Sequence, residues 1–181
     1  MHLEIALRNN MHMAISGRFP NGPWNNVPCW MDCTVPILEP DEAKEVRKAK
    51  WRLKDKGKPC EVGRMVAELN FGFWSSLLDR RYERSNTLWP HLLRDVFPHA
   101  PKTQRKRKVF SARINRIRVL RNRVFHYEPI WHWKDLAEHH EDLLEAISWL
   151  STDLFILTKT VDRFDEVFHE TWNRHSSGIL G

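Results

Sequence analysis

The feature that most constrains the fold is a seam of apolar side chains near the C-terminus, with gaps of four and three residues in alternation. A period of 3.5 residues is typical of a helix that buries one stripe. The seam predicts one helix over residues 135–170, roughly 50 Å long at about 1.5 Å per residue. Asp135 and Glu138 would begin it as a capping box. The members of the seam are Leu136, His140, Leu143, Ile147, Leu150, Leu154, Leu157, Val161, Phe164 and Phe168, with Trp172 continuing it.

Two consequences follow from the length and composition of this seam. A helix of this length exceeds what a small bundle needs, so part of the seam is expected to bury against a second subunit. His140 is its only polar member, and we expect it to be a buried structural histidine.

The rest of the chain also shows helical periodicity, and no segment predicts a β-strand. We predict an all-α fold, in which helices at 1–16, 60–80, 103–127 and 135–170 form a four-helix bundle. A charged helix at 41–56 and the segment 81–100 are expected to lie outside it. Residues 17–40 contain seven glycines and prolines, which predicts a long irregular loop. Gly72 lies within the predicted 60–80 helix, and close packing against another helix is the expected reason.

Length, hydropathy and cysteine content limit the class of protein. The 181 residues, 41% of them hydrophobic, suit one domain, which we place at 1–173 with a frayed tail at 174–181. No apolar run approaches a membrane span, and the N-terminus lacks a signal-peptide pattern. Three cysteines without histidines at ligand spacing predict no metal site. These features favour a reducing cytoplasm, and no cofactor is expected.

Residues 102–123 are the most basic part of the chain, and no acidic residue occurs between Ala100 and Tyr127. A solvated helix face normally mixes charge signs, whereas this row would repel itself unless something neutralises it. A nucleic acid is one answer, because phosphates neutralise such a row. Pairing with acidic residues elsewhere in the protein is the other. The ten cations are Lys102, Arg105, Lys106, Arg107, Lys108, Arg113, Arg116, Arg118, Arg121 and Arg123.

The basic row ends in a cluster with the chemistry that phosphodiester cleavage needs. Asn122 and His126 are spaced i,i+4, so they share one face of a helix, and Arg121 and Arg123 flank that face. A guanidinium binds phosphate in a planar fork, and histidine exchanges protons near neutral pH. Pro129 predicts that the helix ends near Glu128.

The string LRNRVFHYEPIW (Leu120 to Trp131) resembles the Arg-Asn-x-x-x-His signature of the HEPN superfamily, in its Abi-like (abortive infection) branch. Two further stretches resemble that branch. LEIALRNNMHMAI lies near the start, and VGRMVAELNFGFWSSLL is followed by Trp89 and by Phe97-Pro98. The three stretches occur in the order that the branch shows and cover most of residues 3–131.

This resemblance implies an HEPN-like four-helix bundle that forms a homodimer, with the two motifs facing each other. It also implies a metal-independent endoribonuclease with a toxin-like or phage-defence role. In that mechanism the ribose 2′-hydroxyl attacks the adjacent phosphorus, and His126 exchanges a proton. Arg121 would stabilise the developing charge, and Asn122 would orient the histidine or a phosphate oxygen. Residues expected to hold the RNA are Arg123, Arg105, Lys106, Arg107, Lys108, Arg113 and Arg116.

A second Arg-Asn pair followed by a histidine lies on the first predicted helix, as Arg8, Asn9 and His12. Either this is an exposed amphipathic face, or it lines the same cleft as Arg121 and contacts RNA. Two other functions stay open for the whole chain. One is a non-catalytic RNA-binding or interaction module with a basic face. The other is an interaction protein whose basic face meets an acidic antitoxin, and a small RNA is a further partner to consider.

Overall fold

The computed structural model describes residues 2–19, 30–32 and 37–168, and within these ranges the chain is helical without a strand. This confirms the all-α prediction. No helix in these ranges is long and apolar enough to cross a lipid bilayer. The following α-helices lie within the described ranges: α1 (His2–Arg18), α2 (Pro40–Asp55), α3 (Val62–Glu68), α4 (Phe71–Ser76), α5 (Arg81–Arg84), α6 (Leu93–Val96), α7 (Arg107–Phe125), α8 (Leu136–Leu150) and α9 (Thr152–Val161). Residues 164–168 are also helical.

Four helices form a closed ring around the core. Helix α8 packs against both α1 and α7, and α4 also packs against both of them. Helix α6 covers α1, while α2 packs on α3 and α4. The helix predicted at 41–56 is α2, which is not one of the four helices of this ring. Its Val46, Ala49 and Leu53 are nevertheless buried in the core.

Aromatic packing fixes α7 in this ring. The Phe110 ring of α7 stacks on Phe97, with centroids 3.9 Å apart. It also meets the Trp149 ring of α8 edge-on at 5.2 Å. Phe110, Ile114 and Ile117 are all buried at helical spacing, so one side of α7 is core and the opposite side faces solvent.

The single helix predicted at 60–80 is two short helices. Leu69 has extended backbone angles, and the Asn70 side chain accepts a hydrogen bond from the Phe73 amide at 2.9 Å. Asn70 is therefore the N-cap of α4, a position that favours asparagine. The expected reason for Gly72 is also wrong. A β-carbon there would meet the Asn70 amide oxygen at 3.1 Å, so the glycine accommodates the cap rather than a neighbouring helix.

The continuous helix predicted at 135–170 is interrupted at Ser151, which adopts extended angles and accepts a hydrogen bond from the Leu154 amide. The chain then turns back, because Asp162 contacts His140 of α8 at 3.0 Å and the Phe164 ring stacks on the His140 ring at 4.0 Å. His140 is thus half-buried and paired rather than a buried member of a seam. In α9, Leu157 and Val161 are 53% and 64% exposed.

The predicted capping box at the start of α8 is absent. Asp135 precedes α8 but its side chain caps no amide. Its carboxylate lies 3.2 Å from His139 instead, and Glu138 pairs with Arg116 of α7 at 2.8 Å. Ion pairs with neighbouring groups therefore replace the local cap.

The predicted loop at 17–40 is shorter than expected at both ends, since α1 runs to Arg18 and α2 begins at Pro40. Residues 20–29 and 33–36 of this loop lie outside the described residues, and so does the predicted tail at 174–181.

Candidate nucleic-acid site on helix α7

The Arg-Asn-x-x-x-His motif lies at the C-terminal end of α7. This end is a Schellman motif, in which the Tyr127 amide donates to the Val124 carbonyl and the Glu128 amide donates to the Arg123 carbonyl, at 3.2 and 2.9 Å. Such a motif needs a left-handed residue after the helix. Tyr127 occupies that position with φ of 55°, although glycine usually does. The helix therefore ends at Phe125, and His126 is its C-cap.

Arg121 is held by three contacts. One Nη donates to Glu4 of α1 at 3.2 Å, and the other donates weakly to the Asn122 side-chain oxygen at 3.4 Å. Its guanidinium also lies over the Phe125 ring, 4.1 Å from the centroid. The Arg121 Nε is buried and has no hydrogen-bond partner among the described residues. The guanidinium is thus oriented but keeps an unused donor.

His126 is exposed on the solvent side of this cap. Its ring makes no hydrogen bond with the part of the chain that the structure describes, and its backbone amide donates to the Asn122 carbonyl at 3.0 Å. The helix places Asn122 one turn before His126. Arg123, also exposed, donates to Glu128 at 2.7 Å, and its guanidinium lies 5.6 Å from the Trp133 ring centroid.

The middle of the basic row is neutralised by α8. Arg113 pairs with Glu145 and with Asp142 at 3.1 Å, and its guanidinium lies over the Trp149 ring at 4.4 Å. Arg116 approaches Asp142 and Glu138 at 2.8 Å each. Hydrogen bonding to Glu138 is the main cause that raises the pKa of Arg116. The predicted pairing with acidic residues elsewhere in the chain therefore applies to both arginines, and their binding to RNA stays untested.

Two other arginines of the row hold the protein together. Arg107 is buried, pairs with Glu83 at 2.8 Å and donates to the Leu78 carbonyl at 2.9 Å. Its guanidinium is therefore buried and paired, and the predicted contact of Arg107 with RNA stays untested. Arg105 donates to the Ala100 carbonyl at 2.7 Å and to the Pro98 carbonyl, so it stabilises the turn before α7.

Lysines remain at the N-terminal end of the row. Lys102, Lys106 and Lys108 are exposed, and none of them forms an ion pair with a described residue. No acidic side chain occupies the first turn of α7, where a negative charge would be favoured. The row is therefore divided: its lysines face solvent, whereas carboxylates of other helices pair with Arg107, Arg113, Arg116 and Arg121.

Arg8, Asn9 and His12 on α1 are not among the described hydrogen-bond and ion-pair partners of Arg121. His12 accepts a hydrogen bond from the Trp30 indole at 3.0 Å, and burial lowers the pKa of His12, so it serves as a neutral acceptor. Asn9 is exposed and Arg8 is half-buried. The α1 residue that reaches Arg121 is Glu4, one turn before Arg8. Helix α1 therefore does approach the motif, but through a carboxylate.

Three residues with a role in the structure carried no signal in the sequence, and two of them, Glu4 and Tyr127, lie at the motif. Glu4 was not a candidate, because nothing local connects it with a partner 117 residues later. Tyr127 is 96% exposed, and a left-handed tyrosine has no signature in sequence. Asn10 donates to the last carbonyls of α6 and α8, at Val96 and Leu150, where a helix leaves acceptors unpaired.

The motif is surrounded by apolar surface. Val124, Phe125, Tyr127 and Trp131 are each between 47% and 96% exposed. Exposed apolar groups gathered beside polar ones are typical of interaction sites. Among the described residues, no group of three or more His, Cys, Asp and Glu side chains is placed to hold a metal ion.

Comparison of the chain with protein-family models, with curated proteins and with solved structures finds no match.

Proposed function

We propose that this protein is a metal-independent endoribonuclease of the HEPN class, with a toxin-like or phage-defence role of the kind known from abortive infection. The observation that carries the proposal is the exposed His126 at the end of α7, one turn beyond Asn122 and close in sequence to an oriented Arg121. The resemblance of the three sequence stretches to the Abi-like branch supports the same class.

The chemistry requires proton transfer and charge stabilisation. The ribose 2′-hydroxyl loses its proton and attacks the adjacent phosphorus, the bond to the 5′-oxygen breaks, and that oxygen takes up a proton. The products carry a 2′,3′-cyclic phosphate and a 5′-hydroxyl. His126 exchanges one of these protons. Arg121 stabilises the charge on the phosphoryl oxygens through the Nη N–H groups that Glu4 and Asn122 leave unused, while Asn122 orients a phosphate oxygen.

Cleavage has two proton transfers, and the motif supplies one histidine per chain. A homodimer with a two-fold axis beside His126 would supply both. The apolar surface around the motif, led by Phe125 and Tyr127, is the kind of patch that a second subunit covers. Light scattering across concentration is expected to show a dimer. A monomer that still cuts RNA at nanomolar concentration would contradict the shared site but not the role of His126.

The direct test is cleavage of labelled RNA in EDTA by the His126→Ala variant. We expect cleavage to fall by at least about 100-fold, the usual contribution of general acid–base catalysis, with unchanged helical circular dichroism and RNA affinity. His132→Ala is the matched control, because His132 is also exposed and lies six residues later. Full cleavage by a folded His126→Ala protein would refute this active site.

One contact favours a second candidate function, a non-catalytic RNA-binding or interaction module. Glu4 neutralises Arg121 at 3.2 Å, and an RNA phosphate would have to compete with that carboxylate. In this alternative the basic face binds RNA, or an acidic antitoxin, without cutting. Salt-dependent RNA binding with no cleavage by wild-type protein in EDTA or in Mg²⁺ would select it.

A further inference from the structure

The outward side of α7 is one unbroken ridge. We call it the outer stripe, and its spacing is that of one helix face. Every member is exposed, and none except Arg123 pairs with a described carboxylate. The outer stripe consists of Lys108, Ala112, Asn115, Val119, Arg123 and His126.

The side chains at the two ends of the outer stripe project from the same side of α7. His126 follows Lys108 by 18 residues, which is about five helical turns and about 27 Å. Five whole turns return the side chain to the same side of the helix. Lys108 is therefore aligned with His126, and Lys106 lies at the same end of the ridge as Lys108.

The side chains at the centre of the outer stripe are short and uncharged. Ala112, Asn115 and Val119 separate the lysine end from the histidine end. The cations of this part of α7 lie to the sides. Arg113 and Arg116 are neutralised by α8, and Arg118 is half-buried. The stripe thus has positive groups at both ends and a smooth surface between them.

We infer that the outer stripe is a track for single-stranded RNA, in which Lys106 and Lys108 hold a phosphate remote from the scissile bond at His126. This inference rests on the proposed function and adds the form of its substrate. Unpaired lysines at one end match a polyanion, and at the other end a phosphate could replace Glu128 as the partner of the exposed Arg123. The short central side chains leave room for the sugars and bases. One helical ridge contacts one strand, while recognition of duplex RNA spans successive grooves.

The distance sets a minimum substrate length. At the spacing of about 3.4 Å per phosphate found in a stacked strand, 27 Å corresponds to about eight nucleotides, and fewer suffice if the strand is extended. Shorter RNA reaches only one end of the track. Length-dependent affinity is therefore the first signature of the track.

The first experiment measures binding and cleavage in EDTA with single-stranded RNAs of about 4, 8, 12 and 16 nucleotides, which cover the site sizes of single-strand binders. We expect affinity to rise steeply between the shortest and about eight nucleotides and then to level off. Equal affinity at all lengths, after correction for the number of overlapping sites, would overturn the track. Tighter binding of duplex than of single strand at equal length would also overturn it.

The second experiment changes charge at the centre of the track. Ala112→Glu should weaken binding of the 12-nucleotide RNA up to about fivefold, as expected for one exposed charge, and Ala112→Lys should strengthen it. The matched control is Ala67→Glu, because Ala67 is an exposed alanine of α3, which packs on α1 and α2. Circular dichroism establishes that each variant is folded.

The outcomes separate the two proposals. If the protein cuts RNA but Ala112→Glu behaves like Ala67→Glu, the track is wrong and the ribonuclease assignment stands. If RNA is bound with the expected length and charge dependence but never cut, the track stands and the ribonuclease assignment fails. If no RNA is bound at any length, both are wrong.

Discussion

The two sides of α7 carry residues of the same basic row but have opposite electrostatic environments. On the paired side, facing α8, Arg113 and Arg116 meet Asp142, whose side chain is only 11% exposed. On the outer stripe, Lys108 and His126 face solvent without a described carboxylate partner. Ten cations in sequence thus become two populations, one that stabilises the fold and one that is free to bind.

A basic composition therefore does not by itself describe a basic surface. A helix buries one side, and cations on that side require acidic partners because burying an unpaired charge is costly. Arginines fill the paired side, since a planar guanidinium with several donors reaches two carboxylates and an aromatic ring together. Lysines occupy the exposed end before and at the start of α7.

The largest expected effect is a difference in stability between variants on the two sides of α7. Arg113→Ala removes contacts to Asp142, Glu145 and Trp149. The free energy of unfolding should fall by about 2–3 kcal/mol, between the values typical of exposed and of buried ion pairs. Lys108→Ala, on the same helix, should change it by less than about 0.5 kcal/mol. Urea denaturation measures both. Equal losses in the two variants would show that the two sides do not differ in this way.

For RNA binding, changes on the outer stripe should have the larger effect. Replacing Lys106 and Lys108 by glutamine should reduce the slope of log K against log salt by about 0.7 for each lost contact with a single strand, while stability stays unchanged. Arg105 and Arg107 are left intact here, because their contacts hold the turn before α7 and the helix itself. The control is the Lys44→Gln/Lys54→Gln pair on α2, where both lysines are exposed. An unchanged slope would mean that the lysines face another partner.

Tyr127, the residue after His126, tests whether RNA or a second subunit covers the exposed surface at the His126 end of the outer stripe. Its left-handed backbone suits glycine better, so Tyr127→Gly should leave the free energy of unfolding within about 1 kcal/mol of wild type. If the exposed ring stacks on a base, Tyr127→Gly should weaken the free energy of RNA binding by about 1–3 kcal/mol. Tyr127→Phe should retain the wild-type affinity. Equal affinities for the glycine and phenylalanine variants would exclude stacking.

The smallest expected effect concerns the pH dependence of stability. It depends on His12, which is half-buried, whereas His126 is exposed. Burial lowers the pKa of His12, so the unfolded chain binds the proton more readily. The contribution of neutral His12 to folding stability is fully present above pH 6.5, the ordinary pKa of histidine. It is lost as the pH falls from there through the lower pKa that His12 has in the folded protein. His12→Gln, whose amide oxygen can still accept from Trp30, should flatten the stability profile below pH 6.5. An unaltered profile would show that His12 does not contribute.

Periodicity in the sequence determined the helical class and the main helices, because burying one face of a helix requires apolar residues at recurring positions. It correctly predicted α1 and α2, and its helix at 103–127 contains all of α7 but begins four residues too early. It also placed Asn122 and His126 one turn apart. It also offered pairing with distant acids as one answer to the basic row, without giving the partners.

Tertiary structure decided where helices break and which charges meet. The seam continues across Ser151 in sequence, yet a serine cap and the contacts of His140 with Asp162 and Phe164 turn the chain back, since capping and packing outweigh periodicity there. Glu4 meets Arg121, and Asp142 meets Arg113, only because the ring of helices brings distant segments together. Pairing of this kind depends on positions in space, and no local pattern in the sequence encodes it.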